Sequence, residues 1–132
     1  MVSILIVAHA PLGSAFLTAV RHVFRHDPEN LEVIDVLPDQ STDEVIQRAR
    51  HAIEQFNAHE GVLVLTDISG ATPANCSQQL DIPGKVAVLA GLSLPMLLRA
   101  LTYRHDKLEV VVEMAQAGAQ GGAIRLRSES AE

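Results

Sequence analysis

The sequence predicts an α/β protein built on an open sheet of four parallel strands flanked by helices. Three observations predict it. Short apolar runs at residues 2–8, 31–37, 61–65 and 85–90 read as strands, the first, third and fourth apolar enough to be buried on both faces. The segments between them carry apolar residues at helical spacing. Each strand stops at a polar or Gly/Pro turn. Strands alternating with helices imply right-handed crossovers and a parallel sheet, without fixing strand order.

Taken in order, the first strand ends on His9, and Pro11, Gly13 and Ser14 turn the chain into a helix over residues 13–24, with Phe16, Leu17, Val20, Val23 and Phe24 at helical spacing. Asp27, Pro28 and Asn30 end it, and His22 and His26 fall on its polar side. The second strand, residues 31–37, closes at Pro38. Ser41 to Glu44 then forms a capping box for a helix that runs to about Ala58 on a stripe of Val45, Ala49, Ala52 and Phe56. The third strand ends at Thr66 and Asp67. After the turn Ile68-Ser69-Gly70-Ala71, Thr72 suits an N-cap and Pro73 the first position of a short helix to Gln79, with Cys76 packed as a small hydrophobe. The fourth strand is followed by a helix over residues 96–103. Residues 107–117 have helical spacing, although their β-branched run also fits a strand. Residues 123–127 alternate apolar and basic, as a short edge strand does. Residues 1–127 are expected to form one domain and 128–132 a polar tail.

Composition narrows the function. A 132-residue chain with 48% hydrophobic residues can bury one sizeable core. Aromatics at 3% argue against stacking platforms for single-stranded nucleic acid or flavin, and a net charge of −6 argues against a nucleic-acid footprint. No apolar run reaches the roughly 18–20 residues of a membrane span. Cys76 is the single cysteine, which points to a reducing, cytoplasmic setting.

The chemistry gathers at two strand ends. His9 and Asp67 share one crevice if the first and third strands are neighbours. A carboxylate bonded to one imidazole nitrogen holds the proton there and leaves the other nitrogen its lone pair. The turn beyond Asp67 supplies Gly70 and Ala71, the Thr72 hydroxyl and the free amides of a helix start, features that suit an anion. Together they suggest phosphoryl transfer through histidine. Each part also has an ordinary reading: a loop histidine, an aspartate capping its own turn, a threonine-proline helix start. A metal site of His9, Asp67 and another histidine lacks a histidine pair at ligand spacing. A receiver domain would want an acidic pair after the first strand, and a flavodoxin aromatic walls.

Three segments carry a family resemblance: ILIVAHAPLGSAF, GVLVLTDISGATPAN and VAVLAGLSLPML. The second resembles the pattern D-x-x-G-G-[ST]-P-x-N, and the third an apolar-A-G-x-N-x-P-M segment. In order and spacing the chain resembles the enzyme IIA component of the mannose family of the bacterial phosphoenolpyruvate:sugar phosphotransferase system. The resemblance implies that His9 is phosphorylated on Nε2 by the phosphocarrier HPr, that Asp67 orients it, and that Gly70, Ala71 and Thr72 hold the phosphoryl group. It implies strand order 2-1-3-4, a homodimer exchanging an added antiparallel strand for which residues 123–127 are the candidate, and a IIB component as onward partner, with no cofactor. Ala10 stands where the family often has glycine, Ala71 replaces the second glycine and Ser93 the usual asparagine. No fused IIB domain is expected, so a phosphorylation-dependent regulatory module and a dihydroxyacetone kinase phosphotransfer subunit are the alternatives.

Overall fold

The four apolar runs pair as the alternation requires. In the computed structural model, which describes residues 1–57 and 59–129, they form β1 (Ser3–His9), β2 (Leu31–Val36), β3 (Val62–Thr66) and β4 (Val86–Ala90), all parallel, in the order β2-β1-β3-β4. Sequence spacing alone left that order open; it is the one the family resemblance implies. Between and after the strands lie α1 (Leu12–Phe24), α2 (Thr42–Gln55), α3 (Thr72–Gln78), α4 (Leu94–Tyr103) and α5 (Leu108–Gly121). No helix among the described residues is long and apolar enough to cross a membrane.

β1 is central and its side chains divide between two cores. Ile4, Ile6 and Ala8 pack with Val20 of α1, Met96 and Leu97 of α4, and Val111 and Ala115 of α5. Leu5 and Val7 pack on the other face with Val45 and Ala49 of α2 and Cys76 of α3. This double burial explains why β1 is a continuous apolar run rather than an alternating one. The register places His9 beside Val36, so β1 and β2 end level, and Val7 beside Thr66, so β3 stops two residues earlier and Asp67 follows at the height of the last residues of β1.

Local chemistry accounts for the helix limits. Ser41 Oγ accepts the Glu44 N–H at 3.2 Å and opens α2. Arg25, in the left-handed region at φ 62°, closes α1 through its N–H to Arg21 O. The expected end of the second helix near Ala58 lies outside the described residues, as do residues 130–132 of the expected tail. Residues 107–117, readable either way, are helical, because Leu108, Val111, Ala115 and Gly118 bury one stripe. Cys76 is buried, as expected of a small hydrophobe.

Three expectations need correction. The fourth strand, expected to be buried on both faces, is an edge strand in which only Val86 is buried and Ala90 is exposed. Thr72 is not the cap of α3 but its first residue; Ala71 takes the cap position, and no side chain caps that end. Residues 123–127 form no strand with this chain's sheet, and Ile124 and Leu126 stay largely exposed. After α5, Ile124 instead borders a cleft with Pro95, Leu98 and Arg99.

α4 and α5 cross closely because Gly118 has no side chain. A Cβ there would lie 2.8 Å from Pro95 O and 2.6 Å from Arg99 Cγ, whereas one at Gly121 meets nothing within 4 Å. Gly118→Ala is therefore expected to lower stability by about 1–3 kcal/mol. Gly121→Ala should be neutral or stabilising by up to about 1 kcal/mol. Urea midpoints compared at constant m-value decide this; equal losses in both variants would refute the packing account.

Candidate functional site

His9 is the last residue of β1, where the strand leaves the core and the side chain becomes half-exposed. Asp67 follows the last residue of β3, 58 positions later, and parallel pairing brings the two together. One carboxylate oxygen, Asp67 Oδ2, lies 2.7 Å from His9 Nδ1 and also accepts the His9 backbone N–H at 3.2 Å. The other, Oδ1, accepts the N–H of Ile68 at 3.1 Å. The Asp67 side chain is only 10% exposed.

This geometry assigns the tautomer. An ionised carboxylate only accepts hydrogen bonds, so Nδ1 carries the ring proton and Nε2 keeps its lone pair. Burial pushes the Asp67 carboxyl up, but hydrogen bonds from the His9 ring and backbone, and the attraction of a protonated His9, outweigh it. The net result is a pKa below the ordinary carboxylate value. Asp67 therefore stays ionised at neutral pH, beside an imidazole that is half-exposed.

Gly70, Ala71 and Thr72 lie in the turn and first helical position just after Asp67. Gly70 adopts φ +80°, which explains a glycine there, and a Cβ would meet open space. Ala71 is extended, at φ −101° and ψ 170°, so its methyl causes no strain where the resembling pattern has glycine. The first amides of α3 have no acceptor within the helix, and Pro73 has no N–H to satisfy. A polar cleft of about 490 Å³ beside this turn is lined by Thr66, Ser69, Gly70, Asn75, Gln78 and Asp81 among others. A larger one, about 650 Å³, lies between β2 and α2 around Glu32, Arg48 and His51. His9 and Asp67 line neither of these clefts, and the His9 side chain is half-exposed.

The other histidines, His22, His26, His51, His59 and His105, are exposed and away from this pair's hydrogen bonds. Among the described residues no group of three or more His, Cys, Asp or Glu is arranged to hold a metal ion. Sequence reasoning passed over Asp35. It lies on β2 beside Ala8, and its carboxylate bonds both the N–H and the hydroxyl of Ser14 at the start of α1. An acidic residue inside an otherwise apolar strand end, LEVIDV, was the available signal.

Comparisons with known proteins agree with this architecture. Residues 3–116 match the family model EIIA-man, described as "PTS system fructose IIA component". The sorbose-specific EIIA component of Lacticaseibacillus casei is 35% identical over 104 residues, covering 78% of this chain and 74% of that protein. The mannose-specific EIIAB component of Escherichia coli K12 is 26% identical over 109 residues, covering 80% of this chain but only 34% of that longer protein. Among solved structures, the phosphotransferase system component EIIA from Streptococcus agalactiae superposes with a TM-score of 0.85 at 28% identity, covering 95% of this chain and 97% of that one. With a sheet in the order β2-β1-β3-β4 and a family match over most of its length, the chain belongs to the mannose family of IIA components of the phosphoenolpyruvate-dependent sugar phosphotransferase system.

Proposed function

We propose that this chain accepts a phosphoryl group from phospho-HPr on His9 Nε2 and passes it to a IIB partner or holds it as a regulatory signal. The observation that carries the reading is the 2.7 Å contact between His9 Nδ1 and Asp67 Oδ2, which commits Nδ1 to the carboxylate and leaves Nε2 of a half-exposed ring as the nitrogen to attack. Family membership supports the reaction class and a cytoplasmic working place.

In this reading Nε2 directs its lone pair at phosphorus, in line with the bond to the donor. The new P–Nε2 bond forms as the donor's bond breaks, and the donor keeps that electron pair. The ring becomes cationic while Nδ1 retains its proton, and the ionised Asp67 beside it offsets the new charge. No proton has to leave the ring during the step. Gly70, Ala71 and Thr72 are the groups proposed to hold the phosphoryl oxygens through backbone amides and the Thr72 hydroxyl. The IIB component would then draw the group off Nε2 by the reverse displacement. A homodimer is part of the proposal; the exposed Ile124 and Leu126 of a segment without a strand partner in its own chain support it.

The first test is intact mass after incubation with phosphoenolpyruvate, enzyme I and HPr. Wild-type protein should gain one acid-labile phosphoryl group, about 80 Da. His9→Ala should gain none while keeping its circular dichroism spectrum. An unchanged wild-type mass with a matched HPr would remove the transfer reading. Asp67→Asn should keep the fold and slow phosphorylation about ten- to a hundredfold, since an amide accepts the same hydrogen bond without offsetting the charge. Rates equal to wild type would remove the role given to the carboxylate.

The same aspartate has a signature in stability. Its pKa is depressed in the folded state, so its contribution is complete above the unfolded-state value, about 3.9, and is lost as pH falls through the lower folded value. Wild-type stability should therefore fall more steeply than that of Asp67→Asn below about pH 4. Parallel acid-unfolding curves would contradict the assigned direction.

A further inference from the structure

Only Ala10 and Pro11 separate the strand that ends in His9 from the first residue of α1. Wherever the helix starts, the histidine must follow. That start has no cap of its own: Pro11 makes no side-chain cap, and the first turn holds no acidic residue. Asp35 supplies the missing acceptor from the neighbouring strand. Its Oδ1 accepts the Ser14 N–H at 3.1 Å, and its Oδ2 accepts the Ser14 hydroxyl. Its negative charge also meets the positive end of the α1 dipole. One residue further along β2, Val36 O accepts the Ala10 N–H at 3.0 Å. Gly13 makes room for the clamp, since a Cβ there would lie 2.7 Å from Asp35 Oδ1. The connection after His9 is thus tied to β2, while the imidazole is tied to Asp67 beyond β3.

We propose that Asp35 is a positioning residue for phosphotransfer, its carboxylate clamping the first turn of α1 to β2 so that the His9–Asp67 hydrogen bond is held in transfer geometry. This rests on the reading of His9 as phosphoryl acceptor. Asp35 forms no bond to the reacting atoms; it acts through the position of the chain that carries them. A residue that served folding alone would change stability and leave the imidazole of the folded fraction as it was.

The test combines nitrogen-15 NMR of the His9 imidazole with single-turnover phosphorylation by phospho-HPr, at a temperature where each variant is folded by circular dichroism. In Asp35→Ala the Nδ1-protonated signature should weaken. The rate constant at saturating phospho-HPr should fall about tenfold or more, with the half-saturating concentration unchanged. Asp35→Asn should recover much of both, because its amide oxygen still accepts from Ser14. Gly13→Ala should reproduce the defect by pushing the carboxylate away, yet add nothing on top of Asp35→Ala, where that oxygen is gone and the next atoms are at ordinary distance.

Wild-type rate and imidazole signals in Asp35→Ala would overturn the proposal. So would a Gly13→Ala penalty that multiplies with that of Asp35→Ala. Should Asp35→Ala not fold, Gly13→Ala and Asp35→Asn carry the same contrast. If the wild type accepts no phosphoryl group, the acceptor reading fails, while the imidazole spectra still decide whether Asp35 holds the His9–Asp67 bond.

Discussion

The central pairing of β1 is the constraint on which the rest of this structure depends. β1 is hydrogen-bonded on one side to β2 and on the other to β3, both parallel, and every contact that orients His9 comes from one of those neighbours. Energetic scale shows which feature positions which. Ile4, Leu5, Ile6 and Val7 are fully buried, and each contributes about 1.5–3 kcal/mol relative to exposure. One hydrogen bond to a charged group contributes about 1.5–3 kcal/mol in total. The sheet therefore sets the separation of His9 and Asp67, and the bond between them refines an approach that apolar burial has already made.

Two aspartates flank the end of β1 and do different work because of what they face. Asp67 meets an imidazole and its own following amide, so its charge bears on the state of His9. Asp35 meets the hydroxyl and amide of Ser14 at a helix start, so its charge is spent on the position of α1. A carboxylate left uncommitted so near the nitrogen proposed to accept a phosphoryl group would repel the incoming anion. In both residues the oxygens are turned toward hydrogen-bond donors of the protein, and the exposed side of His9 is left to the visiting anion.

Much of this was legible in the sequence because it rests on local pattern. Doubly buried strands show as unbroken apolar runs, and the Ser41–Glu44 cap shows as spacing. His9 and Asp67 stood out as polar residues terminating such runs. The remainder depended on contacts between distant segments. Nothing local distinguishes Thr72 as a cap from Thr72 as the first helical residue, since Pro73 is accommodated in either register. The AIRLR alternation at residues 123–127 marks a segment able to pair, but pairing depends on where the chain carries that segment, and within this chain it joins neither edge of the sheet. Asp35 escaped notice because its partner lies on a helix 21 residues earlier.

The openness of the site follows from the proposed task. An enzyme acting on a small metabolite gains by enclosing it, since excluding water strengthens every polar contact. A carrier that takes a group from one protein and yields it to another must present the same atom to two macromolecules, and a pocket deep enough to exclude water would exclude them as well. His9 is half-exposed and borders neither the cleft beside the Asp67 turn nor the one between β2 and α2. Its order comes from Nδ1 and the backbone, and in the proposed transfer the partner would close over Nε2. On the proposed reading, the preorganisation that a metabolic enzyme builds around its substrate lies in the acceptor's own ring, and the partner's surface would exclude water only while transfer takes place.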